Sequence, residues 1–410
     1  MAEQKQITVI DVGTSKVVTL VGEMAESGSD IVVSGVGIVP ARGIKRGQIV
    51  DVKEAAECIR ESLDGAEHTS ATKITHVFAN FSGSHVQSQT GTGTVAIGRG
   101  DQGVSQDDVN RALEQASSVN LPSNRDILHV IPQKFKVDEQ DGIRSPQGML
   151  GFRLEVSAEI ITGAVSPMQN LSKCLRNAGV ELQDVVLSSL ASAEASLTPT
   201  EREMGCMVLD VGAGTSDLAI FVDGAVWHAS VIDVGGWNFT NDLAYVLHLP
   251  LDISEKLKLQ HGTCSLESPT LEHPVTVEGF GDDTQVTVIK RDVAEILHAR
   301  AEELFDMIGQ EIKRTGYDGL LPAGVILTGG AAQMPGIREV ARNKLHLPVR
   351  IAMPAQLVGL VDAIQGPAFA TSTGMLRSTM QEENARPARR RRGNSNLKGL
   401  GGWLKNLLPG

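Results

Sequence analysis

The chain has 410 residues, 41% of them hydrophobic, enough to bury a large core divided over two to four domains. A formal net charge of −12 with an aromatic content of 3% argues against a general, stacking nucleic-acid binder, although a local basic run could still act. The four cysteines, Cys58, Cys174, Cys206 and Cys264, have neither C-x-x-C nor zinc spacing, so free buried thiols in a reducing compartment are expected.

In chain order, "MAEQKQITVIDVG" opens polar and turns strand-like, unlike a signal peptide. Ile7 to Ile10 and Val17 to Val21 predict a hairpin around an Asp-Val-Gly turn. Val52 to Leu63 has helical spacing, and "THVFANFSG" reads as a strand ending in a turn. "SQDDVNRALEQASSV" predicts a helix capped by Ser105, with acids in its first turn. "DILHVIPQKFKVD" and "LEVSAEIITGAV" predict strands, and "SPMQNLSKCLRNAGV" a helix ending at Gly179.

"CMVLDVGAGTSDLAIF", from Cys206 to Phe221, then repeats the opening pattern: apolar strand, Asp-Val-Gly, small residues, second apolar strand. Met207 to Leu209 and Leu218 to Val222 flank this second turn, and the echo predicts a duplicated domain. "RDVAEILHARAEELFDMIGQEIKRTG" predicts a long amphipathic helix ending at Gly316. "AGVILTGGAAQMPGI" predicts a buried strand running into a Gly-rich turn. From about Ser378 to Asn396 the apolar content collapses, which predicts a flexible linker.

The two turns, together with "LTGG", suggest phosphate chemistry. Glycines at Gly13, Gly212, Gly214, Gly329 and Gly330 let backbone N–H groups approach an anion. Thr14, Ser15, Thr215 and Ser216 offer hydroxyl donors, and Lys16 a point charge. Asp11 and Asp210 would repel phosphate directly, but suit a hydrated Mg²⁺ held through water. Hairpins from two related domains, facing each other, would clamp a nucleoside triphosphate. Neither G-x-x-x-x-G-K-[ST] nor G-x-G-x-x-G occurs, which excludes the P-loop and Rossmann readings.

The tail ends in Arg389, Arg390, Arg391 and Arg392, a spacer, and then Leu397, Leu400, Trp403, Leu404, Leu407 and Leu408 on one helical face. Twelve residues at ~1.5 Å each span ~18 Å, short of a ~30 Å hydrocarbon core. The segment can lie in a lipid interface but cannot cross it. The arginines add about 1 kcal/mol each near an anionic leaflet. A single anchor of this kind is marginal, so self-association and membrane binding would reinforce each other. A helix docked on its own domain, or a basic run on nucleic acid, is the alternative.

"VIDVGTSK", "VLDVGAGTSD", "VILTGGAAQ", "SSLASAEASL" and "GPAFATSTGML" together resemble the two phosphate loops, adenosine motif and two connecting helices of the actin–Hsp70–sugar kinase superfamily. "NFSGSHVQS", "ILHVIPQKFKVD", "DVGGWNFTNDLAYVL", "SEKLKLQHG" and the lipid-seeking tail narrow the resemblance to the FtsA family of bacterial division proteins. It covers essentially the whole chain. It implies an α/β, actin-like fold of duplicated ribonuclease H-like domains, with an inserted small α+β domain and a C-terminal amphipathic helix.

The boundaries implied are as follows. Residues 1–82, 164–200 and 360–377 form the first core domain, and 83–163 the insert. Residues 201–240 and 317–359 form the second core domain, with 241–316 its small subdomain. Residues 378–396 are the linker and 397–410 the membrane helix.

The resemblance also implies ATP and Mg²⁺ as ligands. Nucleotide contacts would come from Gly13, Thr14, Ser15, Lys16, Gly212, Ala213, Gly214, Thr215, Ser216, Gly235, Gly236, Gly329, Gly330 and Ala331, with Glu255 and Lys258 beside ribose and base. Implied partners are FtsZ, further copies of the chain, membrane lipids and later division proteins, at the inner face of the cytoplasmic membrane. Arg291 and Arg300 are candidate FtsZ contacts. Where the first connecting helix of the superfamily usually reads E-P-L-A, this chain has Ser188-Ser189-Leu190-Ala191. Without a base to position water, a factor of ~10²–10⁴ in rate is lost, so hydrolysis is slow at most. A sugar or acid kinase, a pilus or secretion-assembly protein and a chaperone are the rival readings.

Overall fold

The computed structural model describes residues 6–385, apart from 26–29, 99–102, 282–283, 318 and 355–356. Two sheets carry the same strand plan. In the first, strand Ile7–Val12 pairs antiparallel with Lys16–Met24, which pairs with Ile31–Pro40. On its other side Ile7–Val12 runs parallel to His76–Phe81, and that strand parallel to Glu181–Leu187. In the second, Cys206–Val211 pairs antiparallel with Ser216–Val222, and that strand with Ala225–Ile232. Cys206–Val211 then runs parallel to Val325–Thr328, and that strand to Val349–Ile351. The echo of Asp-Val-Gly is thus a duplication of topology. Both central strands are buried along nearly their whole length, as a parallel neighbour and covered faces require.

Between His76–Phe81 and the helix Val165–Ala178 the chain inserts a separate four-stranded antiparallel sheet, in the order Gln87–Ala96, Arg153–Ala164, Arg125–Val137, Gln140–Ile143. The helix Gln106–Ala116 packs on it. Ser105 caps this helix, accepting from Asp108 N–H while Asp108 reaches back to Ser105 N–H at 2.9 Å. The inserted sheet also leans on the second half. His228, on the strand Ala225–Ile232, hydrogen-bonds Ser88 (3.0 Å) through one ring nitrogen and Glu311 (2.9 Å) through the other.

The helices Ser188–Ser196 and Ala370–Ala385 cross between the two halves. A Cβ on Gly374 would fall 1.8 Å from the Ala191 carbonyl oxygen, so the crossing requires glycine there. The second of these helices corrects the expected linker boundary. It continues beyond Ser378, with Ser378 and Thr379 both bonding back to the Met375 carbonyl (3.1 and 2.6 Å) and Met380 fully buried. The fall in apolar content marked hydroxyls satisfied within the helix, not its end. The membrane-helix residues Leu397, Leu400, Trp403, Leu404, Leu407 and Leu408, and Arg389 to Arg392, lie outside the described residues. Among the described residues no helix is long and apolar enough to cross a membrane.

Candidate functional site

Each hairpin closes in the same manner. Gly13 N–H donates to the Lys16 carbonyl (3.0 Å) and Gly212 N–H to the Thr215 carbonyl (2.9 Å). The two turns meet. A Cβ placed on Gly214 would lie 2.5 Å from Thr14 Oγ1, so only a bare Cα permits the first turn to sit against the second. Strand register then sets Asp11 opposite Val18 and Asp210 opposite Asp217.

The remaining expected glycines gather on the second turn. Gly236 N–H donates to the Gly212 carbonyl (2.8 Å) and Trp237 N–H to the Ala213 carbonyl (2.7 Å), which places Gly235 and Gly236 directly over it. Lys258 donates to the Gly236 carbonyl (3.0 Å) and to Thr240 (2.8 Å), and pairs with Glu255 (2.7 Å). Gly329 follows the strand beside Cys206–Val211 and packs against Asp210 and Val211, with Gly330 and Ala331 opening a short 3-10 turn. The remaining expected glycines, Glu255 and Lys258 thus gather around the second turn, against which Thr14 of the first turn sits.

Asp217, Asn80 and the hydroxyl partners of Asp210 there were not anticipated. Asp217 accepts hydrogen bonds from Ser82 (2.6 Å) and Thr215 (3.0 Å). Asp210 accepts from Ser192 and from Thr371 (2.8 Å), one hydroxyl from each crossing helix. Asn80 accepts from Val12 N–H (2.7 Å) and donates to Ser188 (3.2 Å). Two expected roles are corrected. The Ser216 hydroxyl donates to the Val234 carbonyl (2.7 Å) and that of Thr215 to Asp217, so neither is free to donate to a phosphate. Thr14 accepts from Gly47 N–H at 3.0 Å, and Ser15 holds Ala41 N–H through its carbonyl (3.0 Å).

Electrostatically the site is acidic. Burial, opposed by Lys16 and reinforced by Asp210, raises the Asp11 pKa to about 7. Burial, offset in part by Ser82, likewise raises Asp217 to about 7. Asp210 is raised by burial, against the hydroxyls of Ser192 and Thr371. Lys16 is lowered by burial, against Asp11 and Asp210, and its ammonium lies 3.8 Å from the Phe369 ring centre. Two buried carboxyls, Asp11 and Asp210, facing one lysine, with Asp217 beside them, favour a further cation. Among the described residues no group of three or more His, Cys, Asp or Glu could ligate a metal directly. Asp11 and Asp210 are hard oxygen donors, the chemistry that suits a hydrated Mg²⁺.

The position of the missing acid holds hydroxyls. Ser188 bonds Asn80 and Ser189 is buried, while Glu194 pairs with Arg202 (3.1 Å). Arg291 and Arg300 both lie on the helix Lys290–Thr315, but each is already paired: Arg291 with Glu272 (2.7 Å), Arg300 with Asp242 (2.8 Å) and Glu303 (2.7 Å).

A profile described as cell division protein FtsA matches residues 207–374, and one described as the SHS2 domain inserted in FtsA matches 83–162. The chain is 37% identical to cell division protein FtsA of Neisseria meningitidis over 98% of its own length and 99% of the relative's. Identity is 36% to that of Pseudomonas aeruginosa, over 93% and 90%. It is 33% to that of Escherichia coli K12, over 91% and 90%. Among solved structures, a PilM–PilN type IV pilus biogenesis complex aligns at TM-score 0.65 with 16% identity, over 92% of this chain and 99% of that one. MreB5 of Spiroplasma citri bound to ADP aligns at 0.58 with 13% identity, over 93% and 99%. These likenesses establish an actin-like fold.

Proposed function

The chain belongs to the cell division protein FtsA family, and from that premise we propose that it is an ATP-binding actin-like protein that fastens FtsZ filaments to the inner face of the cytoplasmic membrane. The observation that carries the nucleotide reading is the contact of Thr14 with Gly214, which joins two phosphate-type turns over Asp11, Asp210, Asp217 and Lys16. The neighbour MreB5 was solved with ADP, which supports an adenine nucleotide. Bound Mg²⁺ would supply charge neutralisation for the phosphates. Asp11 and Asp210 would orient its waters, Lys16 would meet a phosphate oxygen, and Glu255 and Lys258 would face ribose and base.

With hydroxyls at Ser188 and Ser189 and Glu194 committed to Arg202, no side chain there acts as a base, so turnover is slow at most. The amphipathic tail would bind lipid weakly alone and firmly once copies of the chain associate. Arg291 and Arg300 would have to exchange Glu272 and Asp242 for an acidic FtsZ tail. Arg291, the more exposed pair, is the better placed of the two. Later division proteins would join the assembled filament.

The test is recruitment of purified FtsZ to vesicles containing anionic lipid. Full-length chain with MgATP should carry FtsZ to the vesicles. FtsZ left in solution, with the chain itself membrane-bound, would refute the tethering role.

A further inference from the structure

We propose that the short hairpin Ile44–Lys45/Gln48–Ile49 is a third phosphate-contacting loop, with Arg46 the residue that recognises the terminal phosphate of the bound nucleotide. The proposal rests on the nucleotide reading of the cleft. Its two strands pair Lys45 with Gln48 and Ile44 with Ile49. Arg46 and Gly47 form the turn, both with positive φ (49° and 69°), as a tight two-residue hairpin requires.

The turn is set between three walls of the cleft. Gly47 N–H donates to Thr14 Oγ1 at 3.0 Å, fixing the tip to the first phosphate turn. A Cβ on Gly214 would lie 2.9 Å from Arg46 Cα and 3.0 Å from Arg46 N, so the tip also abuts the second turn. A Cβ on Gly47 would lie 3.4 Å from Ser82, the residue bonded to Asp217. Arg46 is thereby anchored at the backbone where the two halves meet, in an αL conformation uncommon for a side chain of its size.

Its side chain is solvent-exposed and, among the described residues, has no hydrogen-bond or ion-pair partner. Nearby Arg42, by contrast, is paired with Glu61 at 2.6 Å. An unpaired guanidinium held at the seam of two anion-binding turns matches the fork geometry of a phosphate. Lys16 is half-buried and faces Asp11 and Asp210, so it leaves part of a triphosphate's charge unmet. A loop braced on both halves would grip that phosphate only with the halves together, which makes Arg46 a discriminator between tri- and diphosphate.

The experiment titrates full-length protein with fluorescent mant-ATP and mant-ADP in Mg²⁺. It compares wild type with Arg46→Asn, which removes the charge while tolerating αL backbone. Arg46→Gln serves as a second uncharged variant, and nucleotide-free melting confirms that each is folded. The expected result is a loss of about tenfold or more in mant-ATP affinity, with mant-ADP affinity within about twofold of wild type. Unchanged ATP affinity, or equal losses for both nucleotides, overturns the assignment to Arg46 while leaving the nucleotide site intact. Absence of nucleotide binding by the wild type overturns the underlying reading, and the proposal with it.

Discussion

Ser82 donates a 2.6 Å hydrogen bond to Asp217, 135 positions away in the chain. Ser82 follows the strand His76–Phe81, which leads into the inserted domain, and Asp217 stands on the second hairpin, so this bond ties the two halves. Both groups are buried, where losing one partner leaves the other unsatisfied. Ser82→Ala should therefore cost about 1–3 kcal/mol in urea unfolding. In a double-mutant cycle with Asp217→Asn the losses should be markedly non-additive. Additive losses would show that the bond does not couple the halves.

The raised Asp217 pKa carries a pH dependence. A carboxyl with a folded pKa of about 7 against its ordinary value of 3.8 binds more protons when folded over that interval. Its stabilising contribution is full below about pH 4 and is lost as pH rises to about 7. Buried His129, pushed down to about 4, acts in the opposite sense over much of this range. The clean comparison is therefore wild type against Asp217→Asn at each pH. The stability of wild type relative to the variant should fall between pH 4 and 7, by at most about 1.4 kcal/mol per pH unit. MgATP should flatten the slope, since a cation favours the ionised form. A difference constant with pH would refute the assignment.

The crossing of Ser188–Ser196 with Ala370–Ala385 depends on Gly374. Gly374→Ala gains helix propensity of about 1 kcal/mol, yet its methyl meets the Ala191 carbonyl. Overpacking should win, with a net loss of roughly 1–3 kcal/mol and a lower Tm. A Tm at or above wild type would mean that the helices part freely.

The helix running to Ala385 decides where the tail can be cut. A chain ended after residue 385 should melt like the full-length protein and no longer float with anionic vesicles. A chain ended after 378 loses buried Thr379 and Met380 as well and should melt several degrees lower. Undiminished flotation of the 385 form would place lipid binding elsewhere.

The Asp-Val-Gly echo made the duplicated hairpins legible, because strand period and turn chemistry are local properties. The facing of Thr14 and Gly214 followed from that duplication. Asp217 stood in the same quoted stretch, but its bond to Ser82 depends on how two sheets pack. The hydroxyls of Ser192 and Thr371 point at Asp210 only because the two helices cross. The hairpin carrying Arg46 was not read: strands of two residues have no periodicity, and Arg-Gly is not the usual Asn-Gly turn signal. The ion pairs of Arg291 and Arg300 with Glu272 and Asp242 are likewise products of tertiary packing.

The central claim is that the two turns form one Mg²⁺-dependent nucleotide site, and Gly214→Ala tests it most directly. A methyl there would sit 2.5 Å from Thr14 Oγ1 and 2.9 Å from Arg46 Cα, forcing the turns apart without touching the core. Calorimetric titration of full-length protein with ATP should show one site that needs Mg²⁺ in wild type, and at least tenfold weaker binding in the variant. ATP binding of equal strength in both would contradict the account.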